Sequence, residues 1–285
     1  MSEPREFVLT LSCPDRMGIV HAVAAYLHEA GCNILDSQQF ADQIAGRFFM
    51  RVHVAAASSG ETLRGGFAEI AGGFGMEWEL HDVAVRPRAL IMVSKAGHCL
   101  NDLLYRRSAE SLRLDVPLVV GNHVDLAPLA AAHGVPFEHV PVGTEPLSVA
   151  AAEARVLELI EELRIDFVVL ARYMRILSPG FCEKLPGRII NIHHSFLPSF
   201  KGARPYHQAH AHGVKLIGAT AHYVTANLDE GPIIEQEVER VDHTLAPESL
   251  AALGRDAERI ALARAVRWHA EHRILLHGRR TVIFK

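Results

Sequence analysis

The sequence predicts two domains of the mixed α/β class: a small antiparallel sheet with two helices, then a larger, doubly wound and mostly parallel sheet. Three observations predict this arrangement. The length of 285 residues fits two domains at roughly 150 residues per domain. The first eighty residues follow a βαββαβ order. From residue 89 onward, short apolar runs alternate with helical patterns.

The first domain is predicted over residues 1–83. Period-two runs indicate strands, and apolar residues at helical spacing indicate helices. The strands are expected at 7–12, 33–40, 47–55 and 76–81, and the helices at 18–30 and 61–71. Gly31 is expected to end the first helix, and Gly72 with Gly73 the second. A βαββαβ order of this length is typical of a ferredoxin-like sandwich, in which two helices cover one face of a four-stranded antiparallel sheet.

A linker is predicted at residues 84–88, because Pro87 cannot continue a strand ladder and its charged neighbours favour water. The second domain is predicted over residues 89–285. Runs at 89–93, 116–120 and 167–170 are apolar at nearly every position, as strands buried on both faces of a parallel sheet must be. Helical patterns at 100–108, 126–133 and 148–163 separate them. Ligands of such sheets bind beyond the carboxyl ends of the strands.

Composition excludes several classes of function. The 29 Lys and Arg residues against 33 Asp and Glu give a net charge of −4, so we expect neither nucleic-acid nor anionic-membrane binding. No run approaches the ~18 apolar residues of a membrane span, and the N-terminus lacks the apolar core of a signal peptide. The four cysteines form no C-x-x-C pair, which favours a reducing, cytoplasmic location. The absence of a P-loop and of a G-x-G-x-x-G motif argues against nucleotide binding.

The candidate catalytic residues follow two strand-like runs. Asn191 and His193 end one run and share a face, because strand side chains alternate. Asp229 lies in an acidic turn after the next run. A carboxylate against an imidazole, beside an amide donor, would suit attack on a carbonyl carbon through an oxyanion. The same residue types are also common in ordinary turns, so the spacing alone leaves that alternative open.

Other polar residues are weaker candidates. His194 is expected to face away from His193 along the strand. A nucleophilic pair of His98 and Cys99 is disfavoured, because adjacent residues at a strand-to-helix turn do not readily reach each other. The spacing of three further histidines fits no usual zinc motif, so we predict no metal site at His207, His210 and His212.

Three motifs in the second domain together resemble the formyltransferase-fold enzymes that handle 10-formyltetrahydrofolate. They are Asn191-Ile192-His193-x-Ser195-x-Leu197-Pro198 with Lys201-Gly202, the segment 171–178, and Gly218-Ala219-Thr220-x-His222 through Asp229-Glu230-Gly231-Pro232. The resemblance spans residues 88–285 and implies that Asn191, His193 and Asp229 are catalytic. It also implies that the pterin lies against a loop that contains Arg172, Met174, Arg175, Ile176 and Leu177.

Two further segments resemble the formyltetrahydrofolate deformylase family in particular. They are Ser94-Lys95-x-x-His98-Cys99-Leu100-x-Asp102-Leu103-Leu104 and an ACT-like N-terminal domain with Cys13-Pro14-Asp15-Arg16-x-Gly18, in which Met17 replaces the usual proline. The family hydrolyses 10-formyltetrahydrofolate to tetrahydrofolate and formate in one-carbon metabolism and purine biosynthesis. The alternative is formyl transfer to an amine.

The resemblance implies several further properties. It implies a folate substrate with no other cofactor and no metal. It also implies a homo-oligomer, and an amino-acid effector at the ACT-like domain, near Asp15 to Gly18 and Asn33.

Overall fold

The chain forms two compact units in a computed structural model that describes residues 4–143, 146–197 and 205–285. The first unit contains the described residues up to Arg86, together with Glu271–His277 and Thr281–Lys285. The second unit contains Pro87–Ala270 and Gly278–Arg280. The change between the units near residue 86 falls within the predicted linker.

The first unit has the predicted βαββαβ order. Its elements are β1 (Arg5–Pro14), α1 (Ile19–Glu29), β2 (Cys32–Asp42), β3 (Arg47–Ala56), α2 (Gly60–Phe74) and β4 (Glu77–Asp82). The strands pair in the order β2-β3-β1-β4, and every neighbouring pair is antiparallel. Alternate residues of β1 and β3, such as Leu9, Leu11, Met50 and Val52, are buried in one core with the apolar faces of both helices.

The predicted end of α2 at Gly72 and Gly73 is wrong. The helix continues to Phe74 and ends where Gly75 takes a left-handed conformation, with φ of 62°. A glycine inside a helix costs only about 1 kcal/mol, which the apolar packing of Phe74 on the core offsets. The helix therefore ends at the glycine that has the left-handed φ, after both predicted stop residues.

The C-terminal segment covers the sheet face that α1 and α2 leave open, although the sequence placed all of 89–285 in the second domain. Strands β12 (Ile274–His277) and β13 (Arg280–Ile283) form a hairpin. The His277 ring lies 4.9 Å from the Phe49 ring, centroid to centroid. Arg51 is 4% exposed and donates hydrogen bonds to the carbonyls of Glu271 and His272. These contacts bury an apolar side chain and a charged one that the first eighty residues alone would leave exposed.

The second unit contains the doubly wound sheet. Its elements are β5 (Arg88–Val93), α3 (His98–Ser108), β6 (Asp115–Gly121), α4 (Ala127–Ala132), β7 (Phe137–His139), α5 (Pro146–Glu162), β8 (Phe167–Leu170), α6 (Pro179–Lys184), β9 (Ile189–His193), α7 (Pro205–Ala211), β10 (Leu216–Tyr223), β11 (Ile233–Arg240) and α8 (Pro247–Ala270). The strand order is β11-β10-β9-β8-β5-β6-β7. The pairs from β7 to β9 are parallel, whereas β10 is antiparallel to both of its neighbours.

The mostly parallel sheet is therefore confirmed, and so is its burial on both faces. All residues of 89–93 and 167–170 are buried. The first strand of the unit, β5, lies between β6 and β8, so the strand order reverses at this point. Ligand crevices form beyond the carboxyl ends of strands at such a reversal.

Within the described residues, we find no helix with the length and apolar character that crossing a membrane requires.

Candidate active site

A cavity of about 370 Å³ lies beyond the carboxyl ends of β8 and β9. Three segments line it: the loop after β8, the end of β9, and the turn after β10. All eight residues predicted for the site lie in its wall: Arg172, Met174, Arg175, Ile176, Leu177, Asn191, His193 and Asp229. The volume is in the range of small-molecule sites.

Strand β9 brings Asn191 and His193 to the cavity because they are two residues apart on the same strand face. Across the ladder with β10, Asn191 is paired with His222, and His193 with Thr220. Thr220 is fully buried, and its hydroxyl donates to the carbonyl of Ser195 and accepts from the backbone of Leu197. These bonds fix the chain where it leaves the strand after His193.

The turn after β10 carries Asp229 to the imidazole of His193. Asp229 Oδ1 lies 3.4 Å from His193 Nδ1. The hydrogen bond from His193 lowers the pKa of the Asp229 carboxyl, against the opposing effect of burial. The turn is tight: Asp229 itself has φ of 56°, and a Cβ on Gly231 would lie 1.7 Å from the Tyr223 carbonyl oxygen. Only glycine fits at position 231 without moving the backbone.

The two ring nitrogens of His193 differ in their partners. A carboxylate only accepts, so Nδ1 carries the proton that it donates to Asp229. His193 Nε2 is buried, and within the described part of the chain it has no hydrogen-bond partner. A buried polar atom of this kind calls for an explanation, and a substrate or water in the cavity would supply the missing partner.

His222 belongs to the site and was not predicted. It is 2% exposed, and its Nε2 lies 3.2 Å from Asn191 Nδ2 and 3.8 Å from Asp229 Oδ1. Its Nδ1 lies 2.9 Å from the Tyr223 carbonyl oxygen, which only accepts, so Nδ1 carries the proton. Burial lowers the pKa of His222, which keeps the ring neutral and makes Nε2 an acceptor for the Asn191 amide. His222 thereby orients the amide of Asn191.

The prediction that His194 faces away from His193 is wrong. The two rings stack with centroids 4.9 Å apart, and both line the cavity. Strand alternation stops applying because β9 ends at His193. Burial, together with the positive charge of Arg172, lowers the pKa of His194 to about 4. His194 is therefore neutral at pH 7 and adds no charge to the cavity.

The loop of residues 172–177 is held at several points. It is called the folate loop here because the sequence resemblance implies a pterin contact at these residues. The Met174 backbone donates to Ser94 Oγ, and Arg175 Nη2 donates to the Val142 carbonyl. Just after the loop, the Ser178 backbone donates to Glu153. The backbone is thus constrained while two apolar side chains stay exposed, Met174 at 59% and Ile176 at 70%. Exposed apolar side chains beside a cavity indicate a surface that a ligand covers.

A buried cluster of charged groups lies behind the start of the folate loop. Glu258 of α8 is 1% exposed, and its Oε2 lies 2.7 Å from His98 Nε2 and 3.4 Å from Arg172 Nε. Ligand atoms of His98, Cys99 and Glu258 lie within 4.8 Å of one another, as in a metal site. However, the carboxylate oxygen already contacts a guanidinium and an imidazole directly, and burial raises the pKa of the Cys99 thiol. The cluster therefore fits an ion-pair network better than a metal site or a thiolate nucleophile.

Several sequence candidates lie away from the cavity or outside the described residues. His210 and His212 are exposed at the surface, as expected for a solvated helix face. The side chain of His207 and the motif residues Pro198, Lys201 and Gly202 are outside the described part of the chain.

Comparisons with known proteins agree on both domains. Residues 87–266 match the Formyl transferase family, and residues 7–64 match the ACT domain family. A formyltetrahydrofolate deformylase from Corynebacterium sp. (strain P-1) is 49% identical over 100% of both chains. The crystal structure of a formyltetrahydrofolate deformylase from Burkholderia mallei superposes with a TM-score of 0.94 at 53% identity, covering 99% of this chain and 100% of that one.

A second kind of enzyme matches over a smaller part of the chain. Glycinamide ribonucleotide transformylase 1 from Symbiobacterium toebii superposes with a TM-score of 0.67 at 32% identity. The match covers 98% of that enzyme but 73% of this chain. The deformylases therefore account for the whole chain, and the transformylase for less of it.

Proposed function

The chain belongs to the formyltetrahydrofolate deformylase family, whose members hydrolyse 10-formyltetrahydrofolate to tetrahydrofolate and formate, and on this premise we propose that Asn191, His193 and Asp229 carry the hydrolysis. Formyl transfer to an amine is not favoured, because the relatives that match the full chain are deformylases. The protein is thus a hydrolase acting on an N-formyl group.

The reaction needs stabilisation of one oxyanion. Water adds to the formyl carbon, and the carbonyl oxygen becomes negatively charged in a tetrahedral intermediate. The Asn191 amide donates one Nδ2 hydrogen to His222, which leaves its other N–H for that oxygen. A preorganised donor of this kind is most effective in a cavity that excludes bulk water.

His193 and Asp229 stabilise the charges that develop in the reaction and assist the proton transfers. His193 in its protonated form donates from Nε2 to the oxyanion, while Asp229 stabilises the positive charge on the ring through Nδ1. Asp229 also positions the attacking water or accepts a proton from it. The carbon–nitrogen bond then breaks, the folate nitrogen takes up one proton of the water, and formic acid releases the other to solvent as formate.

The observation that carries this proposal is the convergence of the three side chains at one cavity. His193 Nε2 is buried there with no hydrogen-bond partner among the described residues, and its Nδ1 faces a carboxylate 3.4 Å away. The exposed apolar side chains of the folate loop, Met174 and Ile176, support contact with the pterin. Oxyanion stabilisation by an amide and an imidazolium requires no cofactor beyond the substrate, which is part of the proposal.

We expect the purified protein to release formate from 10-formyltetrahydrofolate when no amine acceptor is present. Water is the nucleophile, so formate and tetrahydrofolate should appear in a one-to-one ratio from the start of the reaction. Formate is measured with a coupled dehydrogenase, and tetrahydrofolate by absorbance. Formate release that requires an added amine, or formyl-amine as the product, would contradict hydrolysis.

The ACT domain carries two further proposals. We propose that this domain binds an amino-acid effector near Asp15 to Gly18 and Asn33, and that the chain forms a homo-oligomer. Light scattering on the whole chain at micromolar concentration is expected to give a multiple of 31.4 kDa. A mass of one chain would contradict the oligomer. A cytoplasmic location and a place in purine biosynthesis stay predictions.

A further inference from the structure

We propose that Glu258 is a positioning residue for substrate binding, because it holds Arg172 at the start of the folate loop. The proposal rests on the proposed function of that loop. Glu258 lies on α8, far along the chain from the loop, and it is absent from the residues that line the cavity. It therefore acts through Arg172 and does not contact the substrate.

A buried carboxylate needs charged or hydrogen-bonding partners to remain ionised. Glu258 is 1% exposed, in a helix whose neighbouring buried positions are mainly alanine and other apolar residues. Its Oε2 contacts both His98 Nε2, at 2.7 Å, and Arg172 Nε, at 3.4 Å. An imidazole nitrogen at hydrogen-bonding distance and a guanidinium nitrogen at ion-pair distance both favour a negatively charged carboxylate in an apolar environment. Removing one partner of such a buried pair is unfavourable, because it leaves an uncompensated charge in the interior.

Arg172 has a backbone conformation that its surroundings must stabilise. Its backbone is left-handed, with φ of 62°, a conformation that is unfavourable for a residue with a side chain. Such a conformation persists only where the surroundings determine it. On the N-terminal side, the Ala171 backbone donates to the carbonyl of Met92 in β5. The guanidinium at the end of the side chain is 18% exposed. Its Nε lies 3.4 Å from Glu258 Oε2, which is an ion-pair contact, and makes no hydrogen bond within the described part of the chain.

The other fixed points of the folate loop lie further along it. Ser94 binds the backbone of Met174, and the carbonyl of Val142 binds Arg175. Within the described part of the chain, the Arg172–Glu258 ion pair is a side-chain contact that holds the first residue of the loop. Without it, we expect Arg172 to leave the left-handed conformation and the wall of the cavity to shift before substrate binds.

The second reason to expect a positioning role for Glu258 is that it compensates a positive charge in the wall of the cavity. Arg172 lines the cavity beside His193 and His194. Glu258 compensates the charge of Arg172, so that the guanidinium does not compete with His193 as the cation of the site. A neutral residue at position 258 would leave an uncompensated guanidinium in a partly buried wall.

The test is a double-mutant cycle on KM and kcat. Glu258→Gln keeps the shape of the side chain and removes its charge. We expect KM for 10-formyltetrahydrofolate to rise about tenfold, as for other partners that orient a site residue, while kcat stays within about twofold because the reacting groups are intact. Arg172→Gln should raise KM by a similar factor. In the Arg172→Gln background, Glu258→Gln should add less than about twofold, because its partner is already gone.

The matched control is Glu138→Gln, which breaks a half-buried ion pair with Arg155 in the same unit and should leave KM unchanged, because Glu138 does not line the cavity. An unchanged KM in Glu258→Gln would overturn the proposal. So would an equal rise of KM in both backgrounds, since the carboxylate would then act without Arg172. Both results concern an enzyme that still hydrolyses its substrate, so they are distinct from a failure of the proposed function, in which the unaltered chain releases no formate.

If Glu258→Gln does not fold, a comparison of two Arg172 variants tests whether the ion pair positions the loop. Arg172→Lys keeps a cation for Glu258, and Arg172→Gln does not. We expect the lysine variant to stay within about threefold of the unaltered KM, because a point charge replaces part of the guanidinium's contact. Equal KM values for the two variants would show that the ion pair does not position the loop.

Discussion

Replacing His193 with alanine is expected to lower kcat for formate release by about 10³-fold. The substitution removes the Nε2 donor to the oxyanion and leaves Asp229 without the imidazole that lies 3.4 Å from it. Substrate binding should survive, because in the proposed function the pterin lies against the folate loop and not against the imidazole. The measurement is single-turnover formate release, together with titration of the variant with folate to obtain Kd.

His210→Ala is the matched control, since it removes an exposed histidine from the same unit. The control should retain the unaltered rate. A rate for His193→Ala within about tenfold of the unaltered enzyme would exclude the assignment, because the loss of one oxyanion donor typically costs more than that.

The second large effect is expected for Asn191→Ala, which should lower kcat by about 10²–10³-fold with little change in KM. The amide contributes mainly in the transition state, so the effect falls on kcat. Asn191→Asp should be no better, because a carboxylate has no hydrogen to donate to the oxyanion and would repel it. Steady-state kinetics with 10-formyltetrahydrofolate measures both variants.

Asn101→Ala serves as the control, because Asn101 is exposed on α3 and remote in the chain from β9. A rise of KM with an unchanged kcat in Asn191→Ala would contradict an oxyanion role. It would instead indicate that the amide only binds the substrate.

The fold could be predicted where the signal is local. Runs such as 89–93 and 167–170 are apolar at every position, and this pattern has few structural alternatives once helices separate the runs. The end of α2 could not be predicted, because three glycines follow within four residues and tertiary packing of Phe74 decides which one ends the helix. The C-terminal segment that covers the first sheet could not be predicted either, because its residues lie more than two hundred positions later in the chain.

The candidate site, like the fold, could be predicted only where local sequence signals exist. Asn191 and His193 could be paired from strand alternation. Their relation to Asp229 was one of two alternatives that the spacing left open, and the family resemblance favoured it. His222 had one usable signal, because it is a polar residue, like Thr220, in a strand that is mostly apolar. Its role depends on the antiparallel register with β9. Glu258 had a similar signal, a carboxylate on a helix face that is otherwise apolar. No sequence spacing relates it to Arg172, because the two meet only through the packing of the second unit.

The return of the C-terminal segment to the first unit has a consequence for synthesis on the ribosome. The sheet of the first unit emerges early, but the residues that cover Phe49 and Arg51 are translated more than two hundred positions later. At about 5–20 residues per second, the delay is on the order of tens of seconds. During this time the nascent chain presents an uncovered sheet face. Translation of residues 271–277, and not completion of the first eighty residues, is therefore the step that allows the N-terminal unit to reach its final burial.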